Sequence, residues 1–212
     1  MNSYHPRLIS VSTALTILTI VVSFAVSYHA NQHFFSTVKI PVLRSYGGTT
    51  LEDLKNLEVW RIATAQLIHA KQAHMLLNAV CLFLLASLVE SRIGGWRTFL
   101  IWLIAGGIAT TISPISTEAP WNVGTGASQA TFAFSGCAMI LTVFGFLQRR
   151  LSWTLIALVV IPGLILDLFH GGYPKLGHAA GFVLGMILGI VYISRNNIAA
   201  RLSSPPRDAR QT

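Results

Sequence analysis

Few side chains in this sequence carry charge. Lys, Arg, Asp and Glu make up 10% of its 212 residues, where an average soluble domain holds roughly 25%. That scarcity excludes a disordered chain and an ordinary soluble enzyme. Cysteine is nearly absent too. Cys81 and Cys137 both fall inside apolar runs, which excludes a disulfide framework and a cysteine-ligated metal cluster. Both read as packing residues, and no metal or cofactor is expected. Acidic residues are the rarest charged type, with 7 Asp and Glu against 15 Lys and Arg. The net charge of +8 would suggest nucleic acid if it were gathered in one patch. The basic residues instead stand singly or in pairs beside apolar runs, so nucleic acid is not an expected partner. They read as topology signals and as contacts to anionic membrane lipids.

What the chain has in abundance is apolar. Hydrophobic residues make up 53% of it and the mean hydropathy is +0.61. A bilayer core needs about 20 apolar residues per helix. Six stretches qualify, at approximately 8–28, 74–90, 97–114, 128–147, 151–169 and 177–194. Lipid cannot satisfy an open sheet edge, so these spans are helices. The expected fold is an all-α membrane protein with six transmembrane helices. Residues 1–200 form a single domain, and 201–212, with Pro205-Pro206, form a disordered cytoplasmic tail. The first run starts at Leu8, exceeds a signal-peptide core and shows no small-residue cleavage site, so it reads as a retained span.

The loops differ in kind. Residues 29–73 mix charges such as Arg44, Asp53 and Arg61 with Phe34, Phe35 and Trp60, the pattern of a structured first loop rather than a linker. Residues 115–127 are rich in Pro and Gly. Six spans put both termini on one side, with nine Lys/Arg against six on the other. The positive-inside rule makes that side cytoplasmic. With no organelle-targeting signal, a bacterial plasma membrane is the expected location.

Polar residues inside spans are costly and tend to be functional. His74 and Asn78 open span 2, Ser128 opens span 4 and His178 opens span 6. Even spans run outside to inside, so all four share one outer layer. His74 and Asn78 are four apart and lie on one helix face. They are either two hydrogen-bond donors of an oxyanion site or packing residues. Ser128 follows the flexible Gly124-Thr125-Gly126-Ala127 and is either a nucleophile or a helix cap. Gly181, Gly185 and Gly189 form a ladder that lets another helix approach closely. His178 shares that face, so a close neighbour would bring a serine hydroxyl within its reach. Histidine is the usual base that activates serine near neutral pH. No well-placed third carboxylate is found: Asp167 ends span 5, and Glu90 ends span 2 on the cytoplasmic side. A Ser–His dyad is expected rather than a triad.

These residues resemble the rhomboid intramembrane serine proteases, from about Trp60 to Gly189. Trp60-Arg61 with Thr64 and His69 looks like the family's first-loop pattern. His74 to Asn78 matches its HxxxN motif, and Glu90 with Gly94 looks like the end of its second span. Gly126-Ala127-Ser128 matches GxS. Phe132 sits where the family often has an aromatic packed on the catalytic histidine, and His178 to Gly185 matches HxxGxxxG. The resemblance implies Ser128 as nucleophile and His178 as base. His74, Asn78 and the Ser128 backbone N–H would bind the oxyanion, and the substrate would be a transmembrane segment of another protein. Gln129 departs from the family, whose motif usually has Gly there. Its amide needs a polar partner, and the glycine ladder is expected to leave room for it. Ser135, before Gly136, is set aside as nucleophile because it lies two turns deeper. The alternative function is a catalytically silent relative that binds transmembrane helices.

Overall fold

The computed structural model of the protein describes residues 10–115, 117–171 and 175–202. Six long helices occur there: α1 (Val11–Asn31), α2 (Gln72–Ile93), α3 (Gly95–Ile112), α4 (Ser128–Val143), α5 (Arg149–Gly171) and α6 (Leu176–Leu202). Five contain stretches long and apolar enough to cross a membrane, and α4, with 16 residues, is apolar but shorter. The expected fourth span ran to residue 147. The helix ends at Val143 because Gly145, at φ +77°, turns the chain. The expected tail lies, beyond Leu202, outside the described residues.

The helices are built as lipid-facing helices are, with small and polar residues inward and large apolar ones outward. On α1, Ser12, Leu15, Thr19, Ser23 and Val26 recur every three or four residues and are buried, while Ile17, Leu18 and Val21 are exposed. The buried stripe meets α2, where Ser23 Oγ donates to Gln72 Oε1 at 3.1 Å and Ser87 Oγ donates to Ser12 Oγ at 3.0 Å. Glu90, near the end of α2, accepts the backbone N–H groups of Val11 and Ser12 at 3.0 and 2.8 Å. It thereby satisfies donors that the start of α1 leaves unpaired.

α4 is the centre of the bundle, with 13 of its 16 residues buried. It packs on α6 backbone to backbone. A Cβ at Gly181 would strike the Gln129 carbonyl, one at Gly185 the Ala133 carbonyl and one at Gly136 the Phe182 carbonyl. Glycine at these three positions is therefore a requirement of the close approach. That seam fixes the register of α4 on α6 and sets Ser128 beside His178 at one end of the bundle.

The first loop folds into short helical turns at Ile40–Leu43, Leu51–Lys55 and Arg61–Thr64. Thr50 and Asp53 cap the second of these reciprocally. Burial alone would raise the Asp53 carboxyl, but hydrogen bonds from Arg44 and Thr50 outweigh it and hold the group below the usual carboxylate range. Arg61 donates to the carbonyls of Arg44 and Gly48 at 2.6 and 2.8 Å, and its guanidinium stacks on Trp60 at 4.5 Å. Trp60 and Arg61 thus hold the loop together.

Candidate active site

The chain reaches α4 along the Gly124–Ala127 segment, which is fastened to the first loop. Thr49 and Gly124 exchange backbone hydrogen bonds, and Gly126 N–H donates to the Ala65 carbonyl at 2.8 Å. Gly126 has φ +97°, a backbone state that favours glycine, and its Cα faces the His69 ring. Ser128 is then the first residue of α4. Its helix cap is Ala127, which makes no side-chain hydrogen bond. The hydroxyl is directed to His178 instead, with Oγ 2.9 Å from Nε2.

Phe132, one turn along α4, stacks on the His178 ring with centroids 4.3 Å apart and planes within 4°. Gly163 of α5 makes room for that ring, since a Cβ there would lie 2.7 Å from the Phe132 edge. His178 is 6% exposed, so the stack and the seam together leave it little freedom.

The expectation that no carboxylate serves His178 is corrected here. Asp167 Oδ2 lies 2.6 Å from His178 Nδ1. Asp167, the one carboxylate of α5, stands near the end of that helix, and His178 stands near the start of α6, so the two meet at the same end of the bundle. Asp167 is 1% exposed. It also accepts the Lys175 backbone N–H at 3.0 Å, and its Oδ1 lies 3.8 Å from Lys175 Nζ.

Two cavities meet at Ser128. The larger, about 750 Å³, is lined by His74, Gly126, Ser128, Gln129 and residues of the loops. The smaller, about 110 Å³, is lined by residues of α2, α4 and α5, among them Asn78, Phe132 and Leu158, together with Asp167 and His178. His74 and Ser128 line both. His74 thus borders both cavities that open on Ser128, and Asn78 borders the smaller.

His69, named above only as part of a motif, is built into this wall. Its Nε2 accepts the Ala127 backbone N–H at 3.1 Å and faces Asn78 Nδ2 at 3.3 Å. Burial, with the neighbouring His74, pushes its pKa down to about 3, so the ring is neutral near pH 7. Neutral imidazole has one bare nitrogen; here that is Nε2, and Nδ1 carries the proton. Asn78 gives one of its two amide hydrogens to His69 and retains a second. Ring chemistry alone did not single out His69, because its partners come from two other segments.

Gln129 does not use room in the glycine ladder, which the α4 backbone itself fills. Its side chain is buried, with Oε1 3.2 Å from Ser128 Oγ and 3.5 Å from Thr110 Oγ1. Gly181 and Gly185 belong to the seam. Ser135 is fully buried and donates to the Thr131 carbonyl at 2.9 Å. Among the described residues no group of three or more His, Cys, Asp or Glu is arranged to hold a metal ion.

The arrangement pairs a serine hydroxyl with an oriented imidazole at the mouth of a cavity, on helices suited to a membrane. Residues 56–195 match the model of the Rhomboid domain. The chain is 26% identical over 161 residues to RHOMBOID-like protein 5 of Arabidopsis thaliana, covering 74% of this chain and 51% of that protein. It is 28% identical over 163 residues to RHOMBOID-like protein 4 of the same plant, covering 72% and 39%. With the rhomboid-named YdcA of Bacillus subtilis (strain 168) it shares 29% over 145 residues, 66% of this chain and 70% of that one. The chain thus spans about half or less of the plant relatives. With the domain matched over well more than half of its length, this chain belongs to the rhomboid family.

Proposed function

We propose that the protein is an intramembrane serine endopeptidase that cleaves transmembrane segments of other membrane proteins near the outer face. The observation that carries this reading is the 2.9 Å contact between Ser128 Oγ and His178 Nε2, with Phe132 stacked on the ring. Ser128 Oγ attacks the scissile carbonyl carbon while His178 Nε2 takes the hydroxyl proton. The carbonyl oxygen becomes an oxyanion, bound by the unpaired N–H at the start of α4 and by His74 and Asn78. Collapse breaks the C–N bond and His178 returns the proton to the leaving amine. Water then attacks the acyl-serine, giving its proton to His178, and releases the new carboxyl end.

The cleft between α2 and α5 opens on Ser128 and suits an unwound stretch of a substrate helix. A helical carbonyl is tied to the amide four residues on, so it must be released before attack. In this reading both termini are cytoplasmic, the site faces the outer side, and the location is a bacterial plasma membrane.

A fluorophosphonate probe tests the assignment. Wild-type protein should label at Ser128 and cleave a model transmembrane substrate. Ser128→Ala should do neither, and His178→Ala should insert and fold but lose cleavage. Failure of the wild type to label or cleave would favour the silent helix-binding relative.

A further inference from the structure

Asp167 is a fully buried carboxylate near the end of a mostly apolar helix, where ionisable groups are expensive and tend to be retained for a purpose. Its surroundings are built rather than incidental. Oδ2 receives two donors, His178 Nδ1 at 2.6 Å and the Lys175 backbone N–H at 3.0 Å, while Oδ1 faces Lys175 Nζ at 3.8 Å. A carboxylate accepts and does not donate. Nδ1 must therefore carry the ring proton, which leaves Nε2 bare and able to accept the proton of Ser128 Oγ.

We infer that Asp167 is a positioning residue that completes a Ser128–His178–Asp167 triad. The inference rests on the protease reading above. Asp167 acts through the ring and never touches substrate. It selects the tautomer that can act as a base, holds the ring plane against Phe132, and lies beside the imidazolium that forms during acylation. The proton passes only from Ser128 Oγ to Nε2 and then to the leaving amine, while Asp167 stays ionised throughout. Lys175, just before α6, supports the same carboxylate through its backbone N–H and its ammonium.

The test uses the full chain in detergent or liposomes. Asp167→Asn keeps the volume and removes the charge, and Asp167→Ala removes both. Loss of a triad carboxylate elsewhere costs about 10⁴-fold in kcat. Each variant is expected to lose about 10²–10⁴-fold in kcat, with KM for the substrate held within about threefold. A kcat loss of less than about tenfold in both would overturn the inference. Nitrogen-15 histidine spectra of the wild type give a readout that does not depend on either variant folding. The His178 signals, assigned with His178→Ala, should show the proton on Nδ1 and a bare Nε2. A proton resident on Nε2 overturns the inference whatever the variants do. If wild type neither labels with fluorophosphonate nor cleaves, the protease reading fails. The tautomer then still decides whether Asp167 orients the ring.

Discussion

The two helices that flank α4 hold it in opposite ways. α6 meets it at Gly181 and Gly185, where the backbones of the two helices lie against each other. α5 is covered over only 22% of its apolar stretch, carries Pro162 inside the helix, and reaches the site through Gly163 under the Phe132 ring and Asp167 under His178. The difference separates two tasks. The seam sets the distance between Ser128 and His178, and a backbone contact of that kind has almost no freedom to relax. The looser helix orients the His178 ring through Asp167 and borders the smaller cavity.

The comparison is broken most severely at the seam. Gly185→Leu forces a side chain into the Ala133 carbonyl and should cost about 3 kcal/mol or more, abolishing both cleavage and fluorophosphonate labelling. Thermal unfolding in detergent checks the stability half of that expectation. Gly163→Ala crowds only the Phe132 ring, so melting should change little while activity falls about tenfold. Equal loss of melting temperature in the two variants would erase the distinction between the helices.

Next in size is the wall contributed by α2. Losing one oxyanion donor typically costs about 10²–10³-fold. Asn78→Ala should therefore lower kcat by that factor while His74 and the backbone carry the rest. If only the yield of folded protein changes, Asn78 serves His69 alone.

A smaller effect is expected from His69. Its folded pKa of about 3 lies below the ordinary histidine value of 6.5, so the unfolded chain binds more protons between these values. Stability is fully present above about pH 6.5 and falls as pH drops toward 3, with a slope of up to about one proton. His69→Gln should flatten that part of the melting-temperature profile. An unchanged profile would mean that other groups set the acid limb.

The smallest effect belongs to Gln129. Its Oε1 competes with His178 for the one Ser128 hydroxyl proton. Gln129→Gly should stay within about tenfold of wild-type activity, roughly 1.4 kcal/mol in the barrier. Gln129→Leu should do worse, because it keeps the bulk in a buried polar setting without the amide's hydrogen-bonding groups. A loss in Gln129→Gly as deep as in Ser128→Ala would place the amide in the chemistry.

Much of this molecule was written locally in the chain. The helices follow from apolar runs whose length matches a bilayer. The pairings of His74 with Asn78 and of His178 with the glycine ladder follow from spacings within single helices, since residues three or four apart share a face, while Ser128 is marked by the glycine-rich segment that leads into an apolar run. The phase of α4 on α6 is legible for the same reason, because only glycine-lined faces can approach so closely. The tertiary structure decided whatever depends on how separate elements rotate against one another. It turned Asp167 inward on a loosely packed helix, set Lys175 against it, and sent the Gln129 side chain to Thr110. It also buried His69 between Ala127 and Asn78. Each of these partnerships joins side chains from different segments, and no periodicity within one segment encodes the angle at which it meets the next.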